Sequence, residues 1–236
     1  RAKSEFLAMM SHEIRTPMNG VLGMLRNLPR DGLTRDQVAR LDAALASGKG
    51  LMGLLNSILD YSKLEQGQTA GETVDFDLAE ALGDIALLMA PMAEEKGLRL
   101  RIEIDHSDLV PVVVDAQRLR QVLMNLLSNA VKYTERGEVI LRLSMMSSPL
   151  GQGRDLRISV IDTGVGIDAE RQQQIFEPFY QAESPDGRVR QGTGLGLSMV
   201  FGFVKQSGGH VNIYSEEGHG TAVKIYLPRA TGLQQT

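Results

Sequence analysis

Residues 11–19 have the sequence Ser11-His12-Glu13-Ile14-Arg15-Thr16-Pro17-Met18-Asn19, and this segment decides how the first third of the chain folds. It lies within a row of apolar residues spaced three and four apart, which predicts an amphipathic or coiled-coil helix. The row consists of Leu7, Met10, Ile14, Met18, Val21, Leu25 and Leu28. His12 lies about 200° around the helix from Ile14, so we expect its imidazole to face outward while Ile14 packs.

The residues around His12 favour a reactive imidazole over an idle surface side chain. Glu13 can orient the ring and accept its proton, which leaves one ring nitrogen free as a nucleophile. Thr16 lies one turn further on and shares the face of His12. Because Pro17 has no N–H to donate to the Glu13 carbonyl, we expect the helix to bend one turn beyond His12.

The composition excludes several classes of protein. The 236 residues are 42% hydrophobic and 23% charged, which is ordinary for a soluble globular protein with a buried core. The chain has no cysteine, which excludes disulfides, thiolate metal sites and a cysteine nucleophile. A net charge of −4 without a basic run argues against nucleic acid as a partner. No stretch approaches the roughly 20 apolar residues that span a bilayer, and the chain begins within a helical pattern, so we expect it to be part of a longer protein.

The first domain is predicted to be a helical hairpin over residues 1–67. Helix 1 runs from about Lys3 to Leu28, and helix 2 extends from the N-cap Thr34 to about Leu64. The apolar row of helix 2 comprises Val38, Leu41, Leu45, Met52, Leu55 and Leu59. Two such helices cannot bury their stripes alone, so we expect a homodimeric four-helix bundle; the alternative is that helix 2 packs on the second domain.

Three glycines weaken helix 2 in this prediction. Gly48 takes a seam position, and Gly50 and Gly53 follow within six residues. At about 1 kcal/mol each relative to alanine, they leave a local deficit of roughly 3 kcal/mol. We therefore expect the half of helix 2 from Val38 to Gly50 to open more readily than the part near Leu55.

Residues 68–75 form a short polar segment with Gly71, which predicts a linker. A second domain is predicted over residues 76–230, followed by a tail over 231–236. Helical periodicity predicts helices over 77–96 and 116–134, the first with a buried face of Leu78, Leu82, Ile85, Leu88 and Met89. Apolar runs and alternation predict strands over 98–104, 112–114, 138–146, 156–161, 210–214 and 221–227.

One ridge of the helix over 116–134 carries polar side chains at helical spacing: Asn125, Asn129, Lys132 and Tyr133. The ridge is either a solvated edge or a set of groups that coordinate Mg²⁺ and phosphate oxygens.

Two glycine-bearing segments strengthen the second interpretation. A predicted strand runs into Asp162-Thr163-Gly164-Val165-Gly166-Ile167, which is either a simple turn or a place where a carboxylate meets the amine of a flat ligand. The segment Gly192-Thr193-Gly194-Leu195-Gly196-Leu197-Ser198 opens a helix, and N–H groups at a helix N-terminus bind phosphate. Its spacing matches neither the dinucleotide-binding fingerprint nor the P-loop.

Taken in order, these segments resemble the motif series of sensor histidine kinases, from Lys3 to Leu227. The motifs are the H box at 11–19, the N box at 125–134, the G1 box at 162–167, the F box at 176–179 and the G2 box at 192–197. The segments FLAMMSHEIRTPMN and FEPFYQAES are similar to those of hybrid sensor kinases, including the type found in pseudomonads. The resemblance implies an α+β chain with a helical hairpin, which forms a four-helix bundle, followed by an α/β sandwich with the GHKL ATP-binding fold.

The resemblance also implies roles for the hairpin residues and the polar ridge. His12 would accept the phosphoryl group with Glu13 as general base, and Thr16 would position water for dephosphorylation of a partner receiver. On the ridge, Asn129 with Asn125 would hold Mg²⁺. Lys132 would meet phosphate and Tyr133 would lie along the nucleotide.

Around the base and the phosphates, the resemblance implies that Asp162 recognises the adenine amine in a pocket shaped by Gly164 and Gly166. A lid would run from about Gln181 to Thr193. The residues implied at the lid, its supports and the phosphates are Phe176, Phe179, Arg188, Gly192, Thr193, Gly194, Leu195 and Gly196. The chain has Gln191 where hybrid kinases usually carry a glycine, which puts the position of the lid in doubt.

The leading hypothesis from the sequence is an ATP- and Mg²⁺-dependent protein-histidine kinase of a two-component system. It would act as a homodimer, phosphorylate His12 and pass the phosphoryl group to a receiver aspartate in cis or in trans. We expect a cytoplasmic portion of an inner-membrane sensor, with membrane contact only through segments outside this chain. The competing hypothesis is a regulatory module with weak catalysis that controls a second sensor kinase through its hairpin. A GHKL ATPase or chaperone is disfavoured because it would not need the H box.

Overall fold

The computed structural model describes residues 2–65, 78–105, 115–147, 154–181 and 193–228. The chain divides into two compact units, residues 1–68 and 69–236. The predicted linker over 68–75, the predicted strand over 112–114 and the tail over 231–236 therefore lie outside the described residues. Among the described residues, no helix is both long and apolar enough to cross a membrane.

The first unit is a helical hairpin of α1 (Ala2–Asn27) and α2 (Arg35–Glu65). α1 is continuous through Pro17. At the start of α2, the Thr34 N–H donates to Gln37 Oε1 at 2.9 Å, and the Gln37 N–H donates to Thr34 Oγ1 at 3.3 Å. This reciprocal pair is a capping box, which satisfies two N–H groups that the helix itself leaves unpaired. The predicted N-cap is therefore present.

The buried seam of the hairpin differs from the predicted row in its last turns. Leu22 is buried against Leu41 and Leu45, whereas Val21 is 46% exposed and Leu28 is also exposed. From Met18, an apolar row on one helix face can continue either through Val21 or through Leu22. Both choices fit helical spacing, so spacing alone cannot decide which of the two residues is buried. The large apolar side chains that stay exposed on this unit are Met9, Val21, Met24, Leu28 and Leu51.

The first half of α2, whose readier opening stays a prediction, is packed against α1. Leu41 and Leu45 belong to the buried cluster of the hairpin, and Gly48 lies directly against Leu22. Gly48 is therefore a recess that receives a leucine from α1, and this packing opposes opening of the helix at that point.

The second unit is a five-stranded mixed sheet with helices packed against one face. Its helices are α3 (Leu78–Glu95), α4 (Ala116–Tyr133) and α5 (Gly196–Gln206), with a 3₁₀ turn over Gln174–Phe176. Its strands are β1 (Arg99–Ile104), β2 (Glu138–Ser147), β3 (Arg154–Asp162), β4 (His210–Glu216) and β5 (Gly220–Leu227). The strand order is β1-β2-β3-β5-β4, in which only β1 and β2 run parallel.

The core of this unit lies between the sheet and the three helices. Leu82, Ile85 and Met89 of α3 are buried as predicted, but Leu88 is 61% exposed, so its predicted place in the core is wrong. α3 carries apolar residues around most of its circumference, and such a helix offers no polar face by which to orient it from the sequence.

α4 is secured at both ends, which matters because it carries the polar ridge. The Asp115 side chain accepts the Arg118 N–H at 3.0 Å and caps its start. At its end, Lys96 Nζ donates to the carbonyls of Val131 at 2.7 Å and Lys132 at 2.9 Å. A cation at a helix C-terminus complements the helix dipole.

Candidate functional site

The hairpin presents His12, Glu13 and Thr16 on its exposed surface, as predicted. The Thr16 hydroxyl donates to the His12 carbonyl at 3.2 Å, so it bonds back along its own helix. Ser11 points inward and is buried, and its hydroxyl oxygen has no hydrogen-bond partner among the described residues. The imidazole is therefore accessible to a reactant while the backbone beneath it is fixed by the helix.

The polar ridge of α4 faces the first turn of α5. Asn125 and Asn129 are half-buried, and a Cβ added to Gly196 would lie 3.7 Å from Asn129 Nδ2 and 3.9 Å from Asn125 Cβ. On the next turn, Lys132 Nζ lies 4.7 Å from the centre of the Tyr133 ring, within cation–π range. The structure thus brings amide side chains and a helix N-terminus together: the N-terminus binds anions, and amide oxygens can coordinate a cation.

The loop after β3 packs against the end of α4. The Asp162 carboxylate accepts the Gly164 N–H at 2.8 Å, and the Val165 N–H donates to the Tyr133 carbonyl at 3.3 Å. A Cβ on Gly164 would lie 2.6 Å from that carbonyl oxygen, and Gly166 has φ +72° and lies against the Glu216 carbonyl. Both glycines are required because backbone of another segment occupies the space of a side chain.

Burial raises the pKa of the Asp162 carboxyl above its ordinary value, and the backbone N–H groups of Gly164 and Thr221 oppose that rise by donating to the ionised form. A carboxylate has about four acceptor sites, more than these two N–H groups use, so Asp162 can also accept a hydrogen bond from an amine on a flat ligand.

The segments on either side of residues 182–192 meet in the structure. The Phe179 N–H donates to the Gly194 carbonyl at 3.0 Å, and both residues have positive φ, +67° and +70°. A positive φ is uncommon for a phenylalanine and marks local strain. The Phe176 ring packs 5.9 Å from the Phe201 ring on α5, whereas the Phe179 ring is 62% exposed. Phe179 therefore holds this junction through its backbone and not through its ring.

The G2 segment leads from this junction into α5. The Thr193 hydroxyl accepts the Leu195 N–H at 3.2 Å, and Leu195 is fully buried below the start of the helix. Leu195 is therefore a packing residue that orients the first turn of α5. Arg188 and Gly192, with Gln191, lie outside the described residues.

Several supporting residues escaped the sequence analysis because they lie outside the motifs. Lys96 holds the end of α4. Gln172 and Ser215 contact the loop after β3 from the side opposite α4. Their contacts join segments far apart in the chain, and no local pattern indicates such pairs. Among the described residues, no group of three or more acidic or histidine side chains that could hold a metal ion is present.

The first unit is a helical hairpin with an exposed histidine. The second is a mixed sheet with helices, in which the polar ridge of α4, the loop after β3 and the start of α5 converge. This combination is typical of a phospho-acceptor module joined to an ATPase domain. The family model of histidine kinase-, DNA gyrase B-, and HSP90-like ATPases matches residues 114–231, half of the chain. The His Kinase A (phospho-acceptor) domain model matches residues 2–67. The chain belongs to the sensor histidine kinases, and the predicted family and fold class are confirmed.

Curated relatives agree with this assignment. The autoinducer 2 sensor kinase/phosphatase LuxQ of Vibrio cholerae is 42% identical over 97% of this chain and 26% of its own length. The sensor histidine kinase AruS of Pseudomonas aeruginosa is 43% identical over 94% of this chain and 22% of its own length. The sensor protein GacS of Pseudomonas syringae is 38% identical over 98% of this chain and 26% of its own length. The chain thus spans about a quarter of the length of these relatives.

Solved structures give the same result. Full-length ShkA in complex with AMPPNP has 37% identity and a TM-score of 0.79, and the match covers 97% of this chain and 46% of that one. The catalytic domain of the histidine kinase ThkA has 28% identity and a TM-score of 0.56, over 67% of this chain and 96% of that one.

Proposed function

We propose that this chain is the autokinase core of a two-component sensor, which transfers the γ-phosphoryl group of ATP to His12 and then to a receiver aspartate. The observation that carries the proposal is the convergence at α4. This helix carries the ridge with Asn125 and Asn129. The N-terminus of α5 at Gly196 and the loop that follows Asp162 both lie against it. Together they offer groups for a base, a metal and phosphates.

The nucleotide contacts follow from the chemistry of these groups. Asp162 accepts a hydrogen bond from the adenine amine, while Gly164 and Gly166 let the backbone approach the base. Lys132 contacts phosphate as a point charge, and Tyr133 lies along the nucleotide. The backbone N–H groups of Thr193, Gly194 and Gly196, at the start of α5, bind phosphate oxygens, while the Thr193 hydroxyl holds the Leu195 N–H. Arg188 and Gly192, on the lid, complete the phosphate site in this proposal.

Mg²⁺ fits the donor set at the start of α5. Asn129 and Asn125 carry amide oxygens, which are hard ligands of the kind that Mg²⁺ takes, and phosphates and water would supply its other ligands. When bound, the ion would neutralise charge that develops on the phosphate oxygens.

The phosphoryl transfer uses residues of the hairpin. Glu13 accepts a proton from the His12 ring, and the free ring nitrogen attacks the γ-phosphorus in line. A bond between nitrogen and phosphorus forms while the bond from phosphorus to the ADP oxygen breaks, and ADP leaves. Thr16 positions water for a second activity, the hydrolysis of the phosphoryl group on the partner receiver.

The exposed apolar side chains of the hairpin support a homodimer. Met9, Val21, Met24, Leu28 and Leu51 stay exposed in the single chain, and a second hairpin would cover them in a four-helix bundle. A receiver in cis or in trans, and membrane attachment through segments outside this chain, complete the proposed assembly. Nothing in the described residues or among the relatives favours the competing hypothesis of a regulator of a second kinase.

Incubation of the whole chain with γ-labelled ATP and Mg²⁺ tests the proposal. We expect label that is labile in acid and stable in base, as for a phosphohistidine, and no label on His12→Gln. Label that survives this substitution would refute the assignment of His12. In calorimetry, Asn129→Ala and Asp162→Ala should each weaken Mg·ATP binding; unchanged affinity in both variants would contradict the proposed pocket.

A further inference from the structure

The loop from Asp162 to Ile167 is held on the side opposite α4 by two polar side chains outside the motifs. Gln172 lies in the turn that follows the loop, Ser215 lies on β4, and both are half-buried. We propose that Gln172 and Ser215 are positioning residues for adenine recognition, because they fix the loop backbone and thereby the Asp162 carboxylate. This inference rests on the proposed function, in which Asp162 accepts a hydrogen bond from the adenine amine.

The Ser215 hydroxyl uses its whole hydrogen-bonding capacity between the loop and β5. Its oxygen accepts the Ile167 N–H at 2.8 Å, and it donates to the Gly220 carbonyl at 2.8 Å. It also lies 2.9 Å from the Thr221 hydroxyl. A hydroxyl has one proton and two lone pairs, so the Thr221 hydroxyl is the donor in this last contact. Loss of the Ser215 hydroxyl would therefore leave three polar groups without their partner.

Thr221 extends this network to the carboxylate itself. Asp162 and Thr221 are paired in the register of β3 and β5, and the Thr221 backbone N–H donates to the Asp162 carboxyl group. The hydroxyl of the same residue contacts Ser215. A shift of Ser215 is thus passed to one of the two residues whose backbone N–H groups orient the carboxylate, the other being Gly164.

Gln172 joins the loop to β4 through one nitrogen. Its Nε2 donates to the Ile167 carbonyl at 3.0 Å and to the Ser215 carbonyl at 2.9 Å. A side-chain amide nitrogen carries two protons, and both are used here on backbone oxygens. A glutamate has the same shape but no proton to donate when ionised, so Gln172→Glu would place an acceptor against two acceptors.

The loop has little freedom to compensate for the loss of these contacts. The Gly218 N–H donates to the Val165 carbonyl at 2.8 Å, and Gly166 lies against the Glu216 carbonyl. The β4–β5 turn and α4 therefore hold the loop from two sides, and Gln172 and Ser215 determine the position of its last residue. In this arrangement, their effect falls on the alignment of Asp162 and not on the overall fold.

The test compares affinities for ATP and for inosine triphosphate, which lacks the exocyclic amine, by calorimetry with Mg²⁺ on the whole chain. We expect Ser215→Ala and Gln172→Glu each to reduce the preference for ATP by roughly tenfold, as loss of a buried hydrogen bond does. Asp162→Asn should reduce it at least as much. Ser215→Thr keeps the hydroxyl and should restore the preference, and Gln173→Ala, an exposed neighbour, is the matched control that should change neither affinity.

The possible outcomes separate the inference from the proposed function. Equal losses of affinity for both nucleotides, or an unchanged preference, in Ser215→Ala and Gln172→Glu would overturn the inference, because a purely structural role acts on both nucleotides alike. If thermal denaturation shows that Ser215→Ala does not fold, Gln172→Glu and Gln172→Ala decide the question. An unchanged preference in Asp162→Asn would overturn the base assignment in the proposed function, and the inference with it.

Discussion

Gly48 and Gly53 on α2 form a matched pair for testing how the hairpin packs. A Cβ added to Gly53 would meet no atom within 4 Å, whereas one added to Gly48 would lie 2.6 Å from Leu22 Cδ2 and 3.6 Å from Met18 Cε. Leu22 is only 6% exposed. An alanine at position 48 must therefore displace a core side chain, and an alanine at position 53 displaces nothing.

The expected free energies follow from two opposing terms. Alanine is better than glycine in a helix interior by about 1 kcal/mol, and Gly53→Ala should realise this gain in full. At Gly48 the same gain is opposed by overpacking, which typically costs about 1–3 kcal/mol. Gly48→Ala should therefore leave the free energy of unfolding unchanged or lower it by up to about 2 kcal/mol. The free energies of unfolding of the two variants should then differ by about 1–3 kcal/mol.

Native-state hydrogen exchange by mass spectrometry on the whole chain measures this difference locally. In peptides that cover residues 44–54, we expect exchange about fivefold slower in Gly53→Ala, and unchanged to about 30-fold faster in Gly48→Ala. Slower exchange of similar size in both variants would refute the reasoning, because it would show that Leu22 does not occupy the recess at Gly48.

Two further predictions concern a cap and a carboxylate. Thr34→Ala removes one half of the capping box and should cost about 1 kcal/mol in urea denaturation of α2, whereas Thr34→Ser, which keeps the hydroxyl, should cost little. Asp162→Asn keeps an acceptor for the Gly164 N–H but removes a partly desolvated charge. Because burial raises the pKa of Asp162 in the folded state, the favourable contribution of this group is present below its unfolded pKa and is lost as pH rises through the folded pKa. The unliganded variant should therefore melt higher than wild type at pH 7, with the difference shrinking towards acidic pH; a difference that grows on acidification would contradict the direction of the pKa shift.

Long periodic segments made most of the fold predictable from the sequence. α4 was predicted over 116–134 and runs from Ala116 to Tyr133, because seven of its residues repeat at helical spacing and all are buried. The errors at Val21 and Leu88 have one cause. Each lies on a helix with more than one apolar stripe, and only the tertiary partner decides which stripe is buried.

The candidate site was predictable in its motifs and not in its supports. Asn129 and Asp162 stand in recognisable patterns, so the sequence indicated their chemistry. Gln172 and Ser215 are ordinary polar residues 43 positions apart, one in a turn and one on β4, and only the tertiary fold brings them together. Phe179 was predicted to anchor the lid, but a positive φ at a non-glycine residue has no marker in the sequence, so the use of its backbone could not be foreseen.

The glycines of the proposed nucleotide site have backbone atoms beside them, whereas Gly48 of the hairpin has a side chain beside it, and these are two different kinds of constraint. Gly164 lies against the Tyr133 carbonyl and Gly194 against the Phe179 backbone, so a Cβ at either position meets main-chain atoms that cannot rotate away. Gly48 meets the end of a leucine side chain, which has other rotamers. The nucleotide loops are thus fixed by contacts between backbones of distant segments, and a substitution there must separate the segments themselves. In the hairpin, a substitution exchanges one packing of side chains for another, so we expect the fold to tolerate changes in the hairpin seam far better than changes at the loops around α4.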